Sequence, residues 1–170
     1  MANVSIIGTG NMAQAISRVL TSGGATVELI GHGEATTPTG DVVVLAVPYP
    51  AVADVIATHG AALAGKIVVD ITNPLDFATF DALVVPADGS ATAEIAAALP
   101  QSRVLKAFNT TFAATLAAGT VGAGEPTTVL VAGDDAEAKT TLVDLVEAGG
   151  LRAIDAGSLR RARELEALGF

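Results

Sequence analysis

At 170 residues the chain is long enough for one domain with a substantial core, and too short for a cofactor domain plus a full-sized second one. Apolar residues make up 51% but aromatic ones only 4%, so the interior must be filled by Ala, Val, Leu and Ile, the mixture found in buried parallel strands and their covering helices. The net charge of −9 argues against nucleic acid or an anionic membrane as partner, and with no Cys and two isolated His residues there is no thiolate, disulfide or metal cluster to work with.

Redox work therefore needs an organic cofactor. Met1 leads straight into a strand-like run without a charged and apolar leader, and no apolar stretch approaches the roughly 20 residues of a membrane span. A cytoplasmic protein is expected.

In chain order, Asn3 to Ile7 is a short β-branched run that ends at Gly8. Asn11 to Ser22 then places Met12, Ile16, Val19 and Leu20 on one helical face before Gly23-Gly24 stops it. Thr26 to Ile30 reads as the second strand of a βαβ unit. Gly31 to Gly40 has no apolar periodicity, which predicts a loop where a standard fold of this kind carries its third strand and helix. Asp41 to Val47 is the next strand, Pro50 to His59 an amphipathic helix with Val52, Val55 and Ile56 inward, and Lys66 to Ile71 another buried strand. Ala91 to Leu99 reads as a helix, and Arg103 to Phe108 and Thr127 to Ala132 read as strands. A helix over Asp134 to Ala148 is capped by Asp134 or Asp135, Leu151 to Asp155 is the last strand, and Ser158 opens a final helix through Leu168. The alternation predicts an α/β fold: a Rossmann-type, doubly wound and mostly parallel sheet in one domain over residues 1–156, with a C-terminal helix in 157–170.

The turn Gly8-Thr9-Gly10-Asn11-Met12-Ala13 has the form G-x-G-x-x-A between a strand and a helix, the context that makes this pattern informative. Gly8 allows the tight turn, Gly10 lets the backbone approach a pyrophosphate, and Ala13 keeps helix and strand close. Unpaired N–H groups at the helix start favour an anion, with Thr9 and Asn11 as further donors. After the second strand, sites that select NAD usually carry an Asp or Glu for the ribose hydroxyl, whereas here Gly31-His32-Gly33 follows Ile30. The missing carboxylate and a donor at His32 favour NADP(H). If the strand runs further, Glu34 becomes the ribose ligand and NAD(H) the cofactor.

Later strands end in Ala46-Val47-Pro48, Thr72-Asn73-Pro74 and Asn109, all expected on the edge that carries Gly8. Val47 and Pro48 offer an apolar shelf, while Thr72, Asn73 and Asn109 can hydrogen-bond a nicotinamide or its ribose. No Tyr-x-x-x-Lys pair or His–carboxylate spacing appears, which favours transfer between two stacked rings over reactions that need a dedicated proton donor. His59, Asp70 and Lys106 remain candidates for acid–base work, but strand termini and a helix C-terminus explain them adequately as solvated or dipole-compensating charges.

Taken together, Gly8 to Ala13, Ala46-Val47-Pro48-Tyr49, Asp70-Ile71-Thr72-Asn73-Pro74-Leu75 and Lys106-Ala107-Phe108-Asn109-Thr110 resemble the NADPH-dependent deazaflavin (coenzyme F420) reductases. Gly133-Asp134-Asp135 and the segment from Asp155 to Glu166 extend the resemblance over nearly the whole chain. It implies hydride transfer between NADPH and a deazaflavin or flavin-like small molecule lying over the nicotinamide, in a homodimer. Two departures stand out: the family's Ser-Arg pair after the second strand is replaced by His32-Gly33, and the family continues past its final helix whereas this sequence stops at Phe170, as a truncated chain would. The short Ile30 to Asp41 connection marks a subgroup whose acceptor could be another flavin or a quinone. Gly10-Asn11-Met12 with Ala15-Ile16 also looks like the start of the pyrroline-5-carboxylate (imine) reductases, whose large helical dimerisation domain has no counterpart here. A third reading is a non-catalytic NADP-binding redox sensor. Turnover with any acceptor separates these.

Overall fold

The computed structural model describes residues 2–31 and 33–169. Seven strands form one sheet in the order β2-β1-β3-β4-β5-β8-β9, from β1 (Asn3–Ile7), β2 (Thr26–Ile30), β3 (Val42–Leu45), β4 (Ile67–Asp70), β5 (Arg103–Ala107), β8 (Thr128–Gly133) and β9 (Arg152–Gly157). β6 (Thr120–Val121) and β7 (Glu125–Pro126) make a small separate hairpin. Helices α1 (Asn11–Ser22), α4 (Ala113–Ala118) and α5 (Ala136–Ala148) pack on one face around Ile16, Leu116 and Leu142. On the other face α2 (Val52–His59) and α3 (Ala91–Ala98) bury Val52, Val55 and Ile95, and α6 (Ala162–Leu168) packs beside α3. This is the doubly wound α/β fold, covered on both faces. No described helix is long and apolar enough to cross a membrane.

Burial on both faces explains the composition of the central strands. Val42 to Leu45 and Ile67 to Val69 are apolar at every position because each side chain meets a helix layer. The usual third strand is absent: β2 stands at the sheet edge, and the chain goes from Ile30 through an irregular loop to β3 on the far side of β1. That loop is tied to the sheet by Glu28, whose carboxylate accepts from the Ser5 hydroxyl and from Thr39 N and Oγ1 at 2.7 and 2.8 Å. Burial pushes the Glu28 carboxyl up, and these hydrogen bonds outweigh it and hold it below the usual range. Lys66 completes the anchor by donating to the Gly40 carbonyl at 2.6 Å.

Two strands run against the other five. β8 pairs antiparallel with β5, and β9, parallel to β8, keeps the reversed direction. Between β5 and β8 the chain forms only the six-residue α4 and the β6–β7 hairpin, neither of which the apolar pattern indicates. Six helical residues rise about 9 Å, whereas the five residues of β5 span about 16 Å, so α4 is too short to carry the chain back for a parallel return.

Candidate functional site

β1 leads to β2 on one side and β3 on the other, so the ends of β1 and β3 form the switch point of the sheet. Gly8 sits there with φ +126°, and a Cβ on it would be driven into the Ala46 carbonyl, whose carbon would lie at 2.8 Å. Ala46 N donates to Ile7 O at 2.8 Å, and Gly8 N to Ile30 O at 2.8 Å, which closes the three strand ends together. Two residues on, Gly10 is the N-cap of α1 in an extended conformation, and no side chain caps the first amides of the helix. A Cβ on Gly10 would meet nothing within 4 Å. Thr9 and Asn11 are exposed, Met12 is half-buried against the core, and Ala13 is fully buried. The result is an open cradle of backbone N–H groups at the positive end of a helix dipole, which fits a pyrophosphate.

Gly31 adjoins this cradle and carries Glu34 folded back against it, with Glu34 N donating to Gly31 O at 3.0 Å. His32 lies outside the described residues. Along the same edge come Val47, buried, and Pro48, exposed. Thr72 and Pro74 are buried, and Asn73 and Asn109 hydrogen-bond each other, with Asn109 Nδ2 to Asn73 Oδ1 at 2.8 Å and Asn73 Nδ2 to Asn109 O at 3.0 Å. Phe108 precedes Asn109 with φ +64°, an unfavourable conformation for a bulky residue, and its ring is fully buried. That kink at the end of β5 accompanies the turn of Asn109 toward α6, where it donates to Leu165 O at 2.8 Å. The strand-end residues are thus brought together, and the C-terminal helix is bonded to them.

The solvated reading of Asp70 and Lys106 is overturned. Both are fully buried on adjacent strands in register, with Lys106 Nζ 2.7 Å from Asp70 Oδ2 and 2.9 Å from Glu166 Oε1 of α6, itself fully buried. Thr92 Oγ1 lies 2.7 Å from Asp70 Oδ2 and 3.1 Å from Glu166 Oε1, and the amides of Ala91 and Thr92 at the start of α3 donate to Glu166 at 2.9 and 3.2 Å. Charges taken out of water survive only with such full pairing. The cluster also fixes the site, because Lys106 donates to the Thr72 carbonyl at 2.6 Å and Asp70 Oδ1 accepts from the Thr72 amide at 2.8 Å. Opposite charges inside two adjacent apolar runs were the signal in the sequence; Glu166, in an ordinary charged helix, gave none. His59 is likewise buried in the last turn of α2, so it faces a helix C-terminus but is not solvated.

Beside Pro48, the Tyr49 hydroxyl is hydrogen-bonded to Glu94 at one end of a 450 Å³ groove between α2 and α3. Burial, the hydrogen bond to Glu94 and the charges of Glu94, Glu166 and Asp70 push the Tyr49 hydroxyl up to about 12. Tyr49 is the sole tyrosine and there is no Trp, so tyrosinate absorbance reports on it alone. The folded protein should show no tyrosinate near pH 10, the stability gained from the protonated phenol being lost only as pH rises from about 10 toward the raised value. Glu94→Gln should bring the midpoint down; an unshifted titration in that variant would remove Glu94 as a cause.

The profile of the family described as NADP oxidoreductase, coenzyme F420-dependent, matches residues 26–74. The chain is 34% identical over 161 residues to the F420-dependent NADP reductase of Methanocaldococcus jannaschii, a match that spans 92% of this chain and 71% of that protein. Its fold superposes with a TM-score of 0.86 on a provisionally named F420-dependent NADP-reductase of Arthrobacter sp. FB24, at 26% identity over 99% of this chain and 90% of that one. An imine reductase of Streptomyces aurantiacus shares the fold at a TM-score of 0.68 and 16% identity, over 98% of this chain and 59% of that one.

Proposed function

Since the chain belongs to the coenzyme F420-dependent NADP oxidoreductase family, we propose that it transfers hydride between NADPH and a deazaflavin or flavin-like acceptor, coenzyme F420 foremost. The observation that carries this is the uncapped start of α1 behind Gly10, open to solvent at the switch point of the sheet. In this reading the amides following Gly10, with Thr9 and Asn11, hold the pyrophosphate. Gly31 is on the side of the adenosine 2′-phosphate, for which the sequence offers His32 as a donor. Ala46, Val47 and Pro48 form one wall for the nicotinamide, while Thr72, Asn73, Pro74 and Asn109 form the other. When bound, the nicotinamide supplies the hydride; the residues of this chain hold the ring, shape its wall and keep water from it.

The proposal extends to organisation. Residues 1–156 act as the dinucleotide-binding unit, and the helix within 157–170 braces its nicotinamide end through Asn73, Asn109 and Lys106. A homodimer is proposed as the working form, supported by Phe77 and Phe80, stacked edge to face and 59% and 61% exposed, and by Phe112 at 80%, which leave apolar surface on loops after β4 and β5. A cytoplasmic location, where NADPH is available as reductant, completes the reading. The imine reductase alternative gains only a shared fold from the comparison.

The test exploits the lack of Trp: titrate the protein into NADPH, and separately into NADH, following the fluorescence of the reduced nicotinamide. Tighter binding of NADPH is the expected result, followed by reduction of F420 in the presence of NADPH. Preference for NADH would move the ribose contact to Glu34, and binding of neither would overturn the assignment.

A further inference from the structure

The connection from β2 to β3 opens with a four-residue turn, in which Glu34 N donates to Gly31 O at 3.0 Å. Gly33 holds the third position of that turn at φ +87°, where the left-handed backbone favours glycine. The turn folds the Glu34 side chain back over the end of β2. A Cβ on Gly31 would collide with the Glu34 carboxyl group, whose Cδ would lie 3.0 Å from it. Gly31 is outside the left-handed region, so it is this contact that calls for glycine. Two glycines thus serve one outcome, a carboxylate seated at the tip of the second strand. Glu28, the other carboxylate nearby, is taken up by Ser5 and Thr39, whereas Glu34 is exposed. From Gly31 to Gly40 there is no Lys or Arg, and His32 is the sole basic side chain. In dinucleotide sites the tip of the second strand meets the adenosine ribose, where a carboxylate accepts from the 2′-hydroxyl and a cation pairs with a 2′-phosphate.

We infer that Glu34 is a specificity-determining residue, whose carboxylate accepts a hydrogen bond from the adenosine 2′-hydroxyl of NADH and opposes the 2′-phosphate of NADPH. A ribose hydroxyl donates and an ionised phosphate repels, so one side chain pulls on the first dinucleotide and pushes on the second. The chain therefore takes both, with its preference for NADPH held down by Glu34. The inference rests on the dinucleotide reading above and adds to it the residue that sets the preference.

Glu34→Gln tests it, because the change keeps the shape of an exposed side chain and removes only its charge. Titrations followed by nicotinamide fluorescence should show NADPH bound about fivefold tighter and NADH about fivefold weaker than in the parent, at an unchanged melting temperature. AMP and adenosine 2′,5′-bisphosphate, used to displace the bound dinucleotide, should shift in the same opposite senses, which puts the effect at the adenosine end. A Glu34 that only shapes the turn would move both dinucleotides together or neither. Either of those results, whichever dinucleotide the parent prefers, overturns the inference and leaves the dinucleotide reading intact. A parent protein that binds neither dinucleotide fails at the earlier step.

Discussion

Gly10→Val is expected to fold like the parent and to lose on the order of 100-fold in NADPH affinity, the worth of one or two charge-assisted phosphate contacts. The backbone at Gly10 has φ −71° and ψ −177°, an extended conformation that valine adopts without strain. Nothing lies within 4 Å of the new Cβ, so no packing is disturbed. The branched side chain instead occupies the space in front of the α1 amides where a phosphate would rest. Gly8 makes the contrast: at φ +126° and pressed on the Ala46 carbonyl, it should tolerate not even alanine without loss of stability. Thermal melts and NADPH titrations of the two variants together separate a glycine needed for folding from one needed for binding. Parent-like affinity in Gly10→Val would sink the phosphate assignment.

The second large effect is on stability. Lys106→Met should cost about 3–5 kcal/mol, because it leaves Asp70 and Glu166 as uncompensated carboxylates in the interior. Against a typical total of about 5–15 kcal/mol, the single variant would be close to unfolding. The triple change Lys106→Met, Asp70→Asn and Glu166→Gln removes every charge of the cluster while nearly preserving its shape, and should recover most of the loss in a denaturant titration. If the single variant melts with the parent, the cluster is not the fixed ion network described here. The same network holds both backbone groups of Thr72, so the triple variant should regain its fold more fully than its affinity for NADPH.

Much of the architecture was legible because it rests on local rules. Continuous apolar runs such as Val42 to Leu45 announce strands buried on both faces, and Ile16, Val19 and Leu20 announce the inner face of α1. The missing third strand could be read from the absence of any period between Gly31 and Gly40. What could not be read depended on distant partners. The reversal of β8 follows from the length of α4, a six-residue helix with too few turns to show a period. Within the candidate site, the convergence of Gly8, Pro48, Thr72 and Asn109 follows from parallel topology, whereas their fixation does not. Asp70 and Lys106 looked like charges at strand ends, and only the docking of α6, which brings Glu166 beside Thr92, shows why both are inside. The Asn73–Asn109 pair was expected to face a ligand, yet much of its hydrogen bonding is spent on the two side chains themselves and on α6.

The two polar anchors of the sheet share no residue. Ser5, Glu28, Thr39 and Lys66 secure the loop after β2, and Asp70, Thr92, Lys106 and Glu166 secure the other end of the proposed cleft. Changes accumulating in one are therefore free to accumulate without disturbing the other. A lineage carrying this scaffold could exchange the eight residues from Gly31 to Pro38, and with them its preference between the two nicotinamide dinucleotides, while Thr39 and Gly40 keep the anchor and the machinery that meets the acceptor stays as it was.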